Sequence, residues 1–326
     1  MREGKVAGKR KVLVTATNYS KYCSEAKKIL EEKGFEVIEN PFGRPFTFPE
    51  LEKVIHEISA VVAGVDTWNQ DVFKMAPKLK VIARFGVGVD NIDLKKAKEY
   101  GIKVTNAKGR NANAVAEMTV GLILAAIRNI PYLNHSLRQG NWDRFVGIEM
   151  AGKHLGLLGF GVIGQLVAAK LRGFDLQVFA FDKYPQPEKA KHLGVSMAAM
   201  EDVLRQSDIV SLHLPSTEET YHVLGKEQFA MMKDGAYLIN TARGALVDEK
   251  ALYEALISRK LAAAAIDVYE KEPAGPTHPL LRLDNIIVTP HTAAETRETY
   301  ASVSRVTAQA IIDVFEGRSP ENLLNG

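Results

Sequence analysis

The sequence predicts an α/β protein of two units, each a parallel sheet covered by helices. Three observations predict it. Short apolar runs alternate with helix-like patterns through the first third of the chain, and the alternation resumes after Lys153. Between a strand pattern and a helix pattern stand three glycines, Gly159, Gly161 and Gly164, in the order GxGxxG. The length, 326 residues, suits about two domains of roughly 100–200 residues each.

KVLVTAT reads as the first strand, SKYCSEAKKILEEKG as a helix closed by Gly34, and FEVIEN as the second strand. A helix from Phe48 to Ile58, the strand AVVAG, a helix from Asn69 to Ala76 and the strands KVIARFG and GIKVTNA follow. NANAVAEMTVGLILAAIRNIPYL is apolar nearly all round. It predicts a helix buried on several sides, capped by Asn113 or a neighbour and ended by Pro131. Lying between two α/β units, it suits a domain connector. RQGNWDRFVGIEMAG reads as a loop.

The second unit runs from KHLGLLGFGVIGQLVAAKLRGF through LQVFAFDKY, VSMAAMEDVLRQSDIVSLHLP and FAMMKDGAYLINTARG. The helix ALVDEKALYEALISRK and the strands LAAAAIDVY and DNIIVTPH complete it. A last amphipathic helix, TAAETRETYASVSRVTAQAIIDVFEGR, lies beyond the final strand. Its return to the first unit would make that unit discontinuous.

Composition narrows the function classes. Lys and Arg exceed Asp and Glu by 42 to 39, a net charge of +3, which argues against a dedicated nucleic-acid binder. The basic start, MREGKVAGKRK, is short and reads as a solvated, partly disordered end. The single cysteine, Cys23, excludes an intrachain disulfide and suits a reducing cytosol. No Cys/His cluster suggests a metal. No signal peptide is visible, and the apolar run from Met118 to Ile127 is shorter than the roughly 20 residues a bilayer requires. The expectation is a soluble cytoplasmic protein with no nucleic-acid or membrane partner.

The glycine triplet carries the first chemical signal. In such a strand–loop–helix unit the first glycine allows the tight turn, the second admits a pyrophosphate and the third lets helix and strand pack closely. The helix N-terminus adds unpaired N–H groups and partial positive charge. Asp182, 18 residues past Gly164 at the end of QVFAFD, stands where a carboxylate binds the adenosine ribose hydroxyls. It favours NAD over NADP, although Lys183 follows it.

Ligands of open α/β sheets gather at the carboxyl ends of strands. The polar residues behind strand patterns are His213 in SLHLP, Arg243 in LINTARGALVD, Asp267 and Glu272 in AIDVYEKEP, and His291 in VTPHT. Arg243 either reaches water from a loop or awaits an anion, and a guanidinium can clamp a carboxylate through two parallel bonds. Oxidising an alcohol requires a base near neutral pKa, and His213 and His291 compete for that role. Glu272 or Asp267 can orient the imidazole.

Together these residues resemble the D-isomer-specific 2-hydroxyacid dehydrogenase family. RFGVGVDNIDL, TNAKGRNANAVAE, LGFGVIG, SLHLP, INTARGALVDE, AIDVYEKEP and VTPHTA stand in that family's order, over nearly the whole chain. The resemblance implies two Rossmann-like domains. A NAD-binding domain, residues 108–291, is inserted into a flavodoxin-like substrate domain, residues 1–107 and 292–326. It implies His291 as the base, Glu272 as its partner and Arg243 as a substrate-binding residue that also touches the cofactor. It implies that Val162, Ile163, His213, Leu214, Pro215, Thr241, Ala242 and Ala293 line the cofactor, with Asp267 near the nicotinamide carboxamide. The Val87 and Gly88 amides would hold the substrate carboxylate, preceded by Arg84. A homodimer joined through the cofactor domain is also implied.

RFGVGVDNID and NANAVAE look closest to the phosphoglycerate dehydrogenase branch, which implies 3-phosphoglycerate and 3-phosphohydroxypyruvate as the substrate pair. A phosphate requires cations, for which Arg84, Lys108 and Arg110 are candidates. Three features depart from that branch. Ala63 and Gly64 stand where an arginine is frequent. His291-Thr292-Ala293-Ala294 replaces the usual PHxGG continuation. The chain ends soon after its last helix, as in short forms without the regulatory domain. Glyoxylate, hydroxypyruvate or another 2-keto acid is therefore the alternative, and a non-catalytic NAD(H)-sensing protein the alternative of another class. Retention of Arg243, Glu272 and His291 together favours the enzyme.

Overall fold

The computed structural model describes residues 9–326, and the basic run up to Gly8 lies outside them. The chain divides into two compact units, residues 1–111 with 295–326, and residues 112–294. In sequence, the second is inserted into the first.

The first unit holds a five-stranded parallel sheet of β1 (Arg10–Val14), β2 (Phe35–Glu39), β3 (Ile58–Ala63), β4 (Val81–Arg84) and β5 (Lys103–Thr105). The order β2-β1-β3-β4-β5 is flavodoxin-like. Successive side chains of a strand point to opposite faces, and both faces are buried. Val12 and Val14 enter one apolar cluster and Leu13 the other. That two-sided burial is why the strands read as unbroken apolar runs. The last helix, Arg297–Phe315, is capped by Thr296, whose hydroxyl accepts from Thr299 N at 3.1 Å. It packs Tyr300, Ala308, Ile311 and Ile312 with Val12 and Val14.

The second unit holds a seven-stranded parallel sheet of β6 (His154–Leu158), β7 (Gln177–Phe181), β8 (Val195–Met197), β9 (Ile209–Leu212), β10 (Ala236–Asn240), β11 (Leu261–Ile266) and β12 (Ile286–Val288). Its order, β8-β7-β6-β9-β10-β11-β12, is the Rossmann arrangement, reversing direction beside β6. The helix Ala112–Arg128 carries nine buried residues and covers β10 and β11. The two sheets give the α/β fold of two Rossmann-like units that the sequence predicts.

Three local expectations are corrected and one is narrowed. The first helix is broken at Cys23 into Tyr19–Tyr22 and Ser24–Glu32. The helix expected from Phe48 to Ile58 stops at Glu52. A 3-10 turn over Ile55–Glu57 follows, and Ile58 already begins β3, where its buried side chain is worth more than another helical bond. Of the candidate caps, Asn113 lies inside the helix and bonds Glu117 one turn on at 2.9 Å, and its neighbour Asn111 directly precedes the first helical residue. Pro131 ends nothing. The break falls at Asn129, in the left-handed region at φ 49°, and Pro131 opens the next helix, Ile130–Arg138, where its missing N–H has no partner to lose. The short helices Leu94–Glu99, Pro187–Leu193 and Lys226–Met231 add to those the sequence predicts. No single helix among the described residues is long and apolar enough to cross a membrane.

Candidate active site

The glycine loop leaves β6 and enters the helix Val162–Lys170. Gly159 sits at φ +105°, and a Cβ there would stand 2.5 Å from the His213 carbonyl carbon. A Cβ on Gly164 would stand 2.4 Å from Gly159 O. These two glycines are therefore required by the protein's own packing. Around Gly161, the N-cap, a Cβ would meet nothing within 4 Å. That open side, against first-turn amides with no carbonyl four residues back, fits a pyrophosphate. Asp182, behind β7, accepts from Phe160 N at 2.7 Å and Tyr184 N at 2.8 Å. Its carboxylate thus braces the glycine loop from the adjacent strand end.

His213 follows β9 and lies under this loop. Its Nε2 is 3.0 Å from Ser211 Oγ, and burial pushes its imidazole down to about 4, a weak base at neutral pH. Leu214 is buried and Pro215 exposed.

Behind β10 the buried Asn240 shapes the turn that follows. Its amide donates to Arg243 O at 2.9 Å, and its oxygen accepts from Ala242 N at 3.0 Å. Thr241 Oγ1 meets Thr119 Oγ1 at 2.8 Å, tying the turn to the long helix. Arg243 donates from Nη1 to Ala242 O at 2.7 Å. Asn240 and Thr119 escaped sequence reasoning. A polar residue closing an apolar strand was the available signal for Asn240.

Asp267, behind β11, is fully buried. It accepts from Thr289 Oγ1 at 2.5 Å, Thr292 N at 2.9 Å and Ala293 N at 2.8 Å. Three donors suit a buried carboxylate and use it to form the turn after β12. That turn holds His291 at φ +50°, a conformation uncommon for a residue with a side chain. His291 N donates to Asp267 O at 2.7 Å, so the neighbouring strand end imposes it.

His291 Nδ1 meets Glu272 Oε2 at 2.6 Å, and Glu272 Oε1 accepts from Tyr269 N at 3.1 Å. Burial pushes the Glu272 carboxyl up. The hydrogen bond and charge of His291, the Tyr269 amide and the charge of Arg243 outweigh it, leaving Glu272 below its ordinary value. The carboxylate thus selects the Nδ1–H tautomer and leaves the Nε2 lone pair for proton transfer. Of the two carboxylates considered, Glu272 pairs with the histidine and Asp267 builds its turn.

Arg84, Val87 and Gly88 belong to the first unit. Arg84 donates from Nε to Gly88 O at 3.0 Å, and from Nη1 to Phe85 O at 2.7 Å and Ala63 O at 3.2 Å. Asn106 Nδ2 donates to Val87 O and Ala107 N to Gly86 O, each at 2.8 Å. Every carbonyl from Phe85 to Gly88 is thus engaged. Arg84 braces this turn, and Asn106 is a second brace that the sequence did not suggest.

Residues 120–293 match the family model described as D-isomer specific 2-hydroxyacid dehydrogenase, NAD binding domain. The chain belongs to that family, and its second unit carries the family's NAD-binding region. It is 44% identical over 319 residues to D-3-phosphoglycerate dehydrogenase of Methanocaldococcus jannaschii, covering 97% of this chain and 59% of that one. It is 38% identical to glyoxylate reductase of Korarchaeum cryptofilum, covering 91% of this chain and 93% of that one. The apo structure of Escherichia coli D-lactate dehydrogenase superposes with a TM-score of 0.86 at 32% identity, covering 97% of this chain and 99% of that one.

Proposed function

We propose that this chain is a NAD-dependent D-2-hydroxyacid dehydrogenase that interconverts a 2-hydroxy acid and its 2-keto acid. The observation that carries the reading is the 2.6 Å contact of His291 with Glu272, formed at strand ends that also present Arg243 and the glycine loop. When bound, NAD supplies the acceptor, and in reduced form the donor, of the C2 hydride. His291 Nε2 removes the C2 hydroxyl proton, and the Glu272 carboxylate stabilises the resulting imidazolium. In the reverse direction protonated His291 returns that proton to the keto oxygen. A carboxylate is the anion that the Arg243 fork, and in the first unit the Val87 and Gly88 amides, are suited to hold. Gly161 with Val162 and Ile163 would hold the pyrophosphate, on a loop that Gly159 and Gly164 shape by their packing, and Asp182 would meet the ribose.

The leading substrate pair is 3-phosphoglycerate and 3-phosphohydroxypyruvate, supported by similarity to the Methanocaldococcus enzyme over 97% of this chain. Two observations favour a smaller 2-keto acid, such as glyoxylate or hydroxypyruvate, as the second reading. Arg84 is committed to three carbonyls. At Gly64 a Cβ would already stand 3.1 Å from Ala16 Cα, leaving little room for a cationic side chain. NADH oxidation with phosphohydroxypyruvate, hydroxypyruvate, glyoxylate and pyruvate separates the readings by their kcat/KM ratios. Tight NADH binding without turnover on any of them would instead favour an NAD(H) sensor.

The proposal includes a homodimer. Its support is the apolar surface of the segment 130–146, where Leu137 is 58% exposed, Trp142 83% and Val146 94%. Light scattering of the wild type and of Val146→Asp tests it, with a loss of mass expected for the variant.

A further inference from the structure

Outside the proton-transfer pair, four titratable side chains form one chain of contacts. Glu249 N donates to Glu270 Oε1 at 3.0 Å, and Glu270 N donates to Glu249 Oε1 at 2.9 Å. Each end of this two-way clasp carries a histidine. His222 Nε2 meets Glu270 Oε1 at 3.1 Å, and His278 Nε2 meets Glu249 Oε2 at 3.0 Å. His222 stacks on Tyr221 with ring centroids 3.9 Å apart, and His278 lies edge-on to Tyr269 at 5.8 Å.

The clasp joins three segments. Glu249 is the first residue of the helix Glu249–Ile257, whose N-terminal amides need acceptors. Glu270 lies two residues before Glu272, in the turn whose Tyr269 N holds Glu272 Oε1. His222 N donates to Ala245 O at 2.8 Å, two residues past Arg243. Glu272 and Arg243 are thus carried on short turns that meet at the clasp.

We infer that Glu249 and Glu270 are positioning residues, whose reciprocal clasp holds the Tyr269–Glu272 turn so that Glu272 stays in register with His291. The inference rests on the proposed role of that pair. Glu272 Oε1 bonds within the turn itself, and Tyr269 OH reaches Thr289 O at 3.1 Å. Cutting the clasp frees the Glu270 end, and a shift of about 1 Å at a reacting group can cost about 100-fold in rate. The charged groups acting on Glu272 are His291 and Arg243, with the Tyr269 amide as a further donor. A loosened turn keeps Glu272 half-buried, which raises its carboxyl, and weakens the His291 contact that lowers it. In keto-acid reduction, where His291 enters protonated, the acid limb of the pH profile reports Glu272 and therefore moves to higher pH.

The experiment compares Glu270→Ala, Glu270→Gln and Glu249→Ala with wild type in kcat, KM, the pH profile of kcat/KM, thermal midpoint and NADH titration by fluorescence. Folded Glu270→Ala and Glu249→Ala proteins are expected to lose about 10- to 100-fold in kcat/KM. Their acid limb moves up and NADH affinity is unchanged. Glu270→Gln, which keeps the Oε1 acceptor, restores most of the rate. A wild-type pH profile and kcat in either folded alanine variant overturns the inference. His291→Ala is run alongside. Activity retained there removes the proposed function itself. An inactive His291→Ala beside a wild-type-like Glu270→Ala overturns the clasp alone.

Discussion

Gly244 and Tyr269 touch backbone to backbone: a Cβ on Gly244 would stand 1.9 Å from the Tyr269 carbonyl carbon and 2.1 Å from its oxygen. The glycine after Arg243 is therefore required by the approach of the next strand end, with no positive φ involved. Neither neighbour is a flexible side chain that could give way. Gly244→Ala is expected to destabilise the protein by about 3 kcal/mol, at the upper end of overpacking costs. Urea unfolding measures this, and a wild-type midpoint would show that the β10 and β11 turns can part.

Asp182 serves the loop and, in the proposed function, the cofactor. Asp182→Ala removes the acceptor of Phe160 N as well as the ribose partner. NADH affinity should fall about tenfold, equal to about 1.4 kcal/mol, and the NADPH-to-NADH preference should rise as a negative charge leaves the 2′ position. Fluorescence titration with both cofactors checks the two effects together. An unchanged ratio would remove Asp182 from the ribose site.

Proton transfer and substrate clamping should separate kinetically. His291→Ala is expected to lower kcat by about 10²- to 10⁴-fold, the usual range for a general base. Arg243→Lys keeps the charge but loses the planar fork, so KM for the keto acid should rise and kcat/KM fall. Steady-state kinetics on the best substrate of the keto-acid panel decides both. Near-normal turnover of folded His291→Ala would refute its role.

Asp208 links acid stability to the second sheet. It accepts from His154 N and from Lys233 Nζ, each at 2.8 Å. Burial raises its carboxyl, but the Lys233 bond and charge and the His154 amide draw it below its ordinary value. A carboxyl lowered on folding stabilises the protein above its unfolded pKa of about 3.9, and that stabilisation fades as pH falls through the folded value. Asp208→Ala should cost about 1.5–3 kcal/mol near neutral pH, the range for bonds to a charged group. The gap to wild type should close in strong acid. Thermal midpoints of both proteins across pH test it, and a gap that widens in acid would contradict the assignment.

Local pattern made much of this molecule legible. Apolar strands alternating with helices predict two parallel sheets because both sheet faces are buried, as the split of Val12 and Leu13 between opposite clusters illustrates. The glycine loop was legible because a tight turn, a close approach and a helix N-terminus impose a spacing on neighbouring residues. The helix ends were less so. Asn113 looks like a cap and Pro131 like a stop, but the helix begins at Ala112 and the break falls at Asn129. The clasp of Glu249 with Glu270 left no trace, since carboxylates in exposed-looking segments read as solvated charge.

The sequence by itself determined the class of fold, the phosphate loop and the short roll of polar residues behind the strands. Each of these follows from residues near one another in the chain. The family resemblance implied a role for each polar residue, and only the tertiary structure decided which of them come together. On the residues alone His213 and His291 were equal candidates for the base, and Glu272 and Asp267 for its partner. The strand order brings the ends of β11 and β12 together. Asp267 is consumed there in building a turn, His291 is held at a positive φ, and Glu272 is left within 2.6 Å of its imidazole. Burial beneath the glycine loop makes His213 a weak base. The separation has a physical reason: propensity and spacing act over a few residues, whereas a pKa and a hydrogen-bond partner are set by whichever distant segments the sheet order makes neighbours.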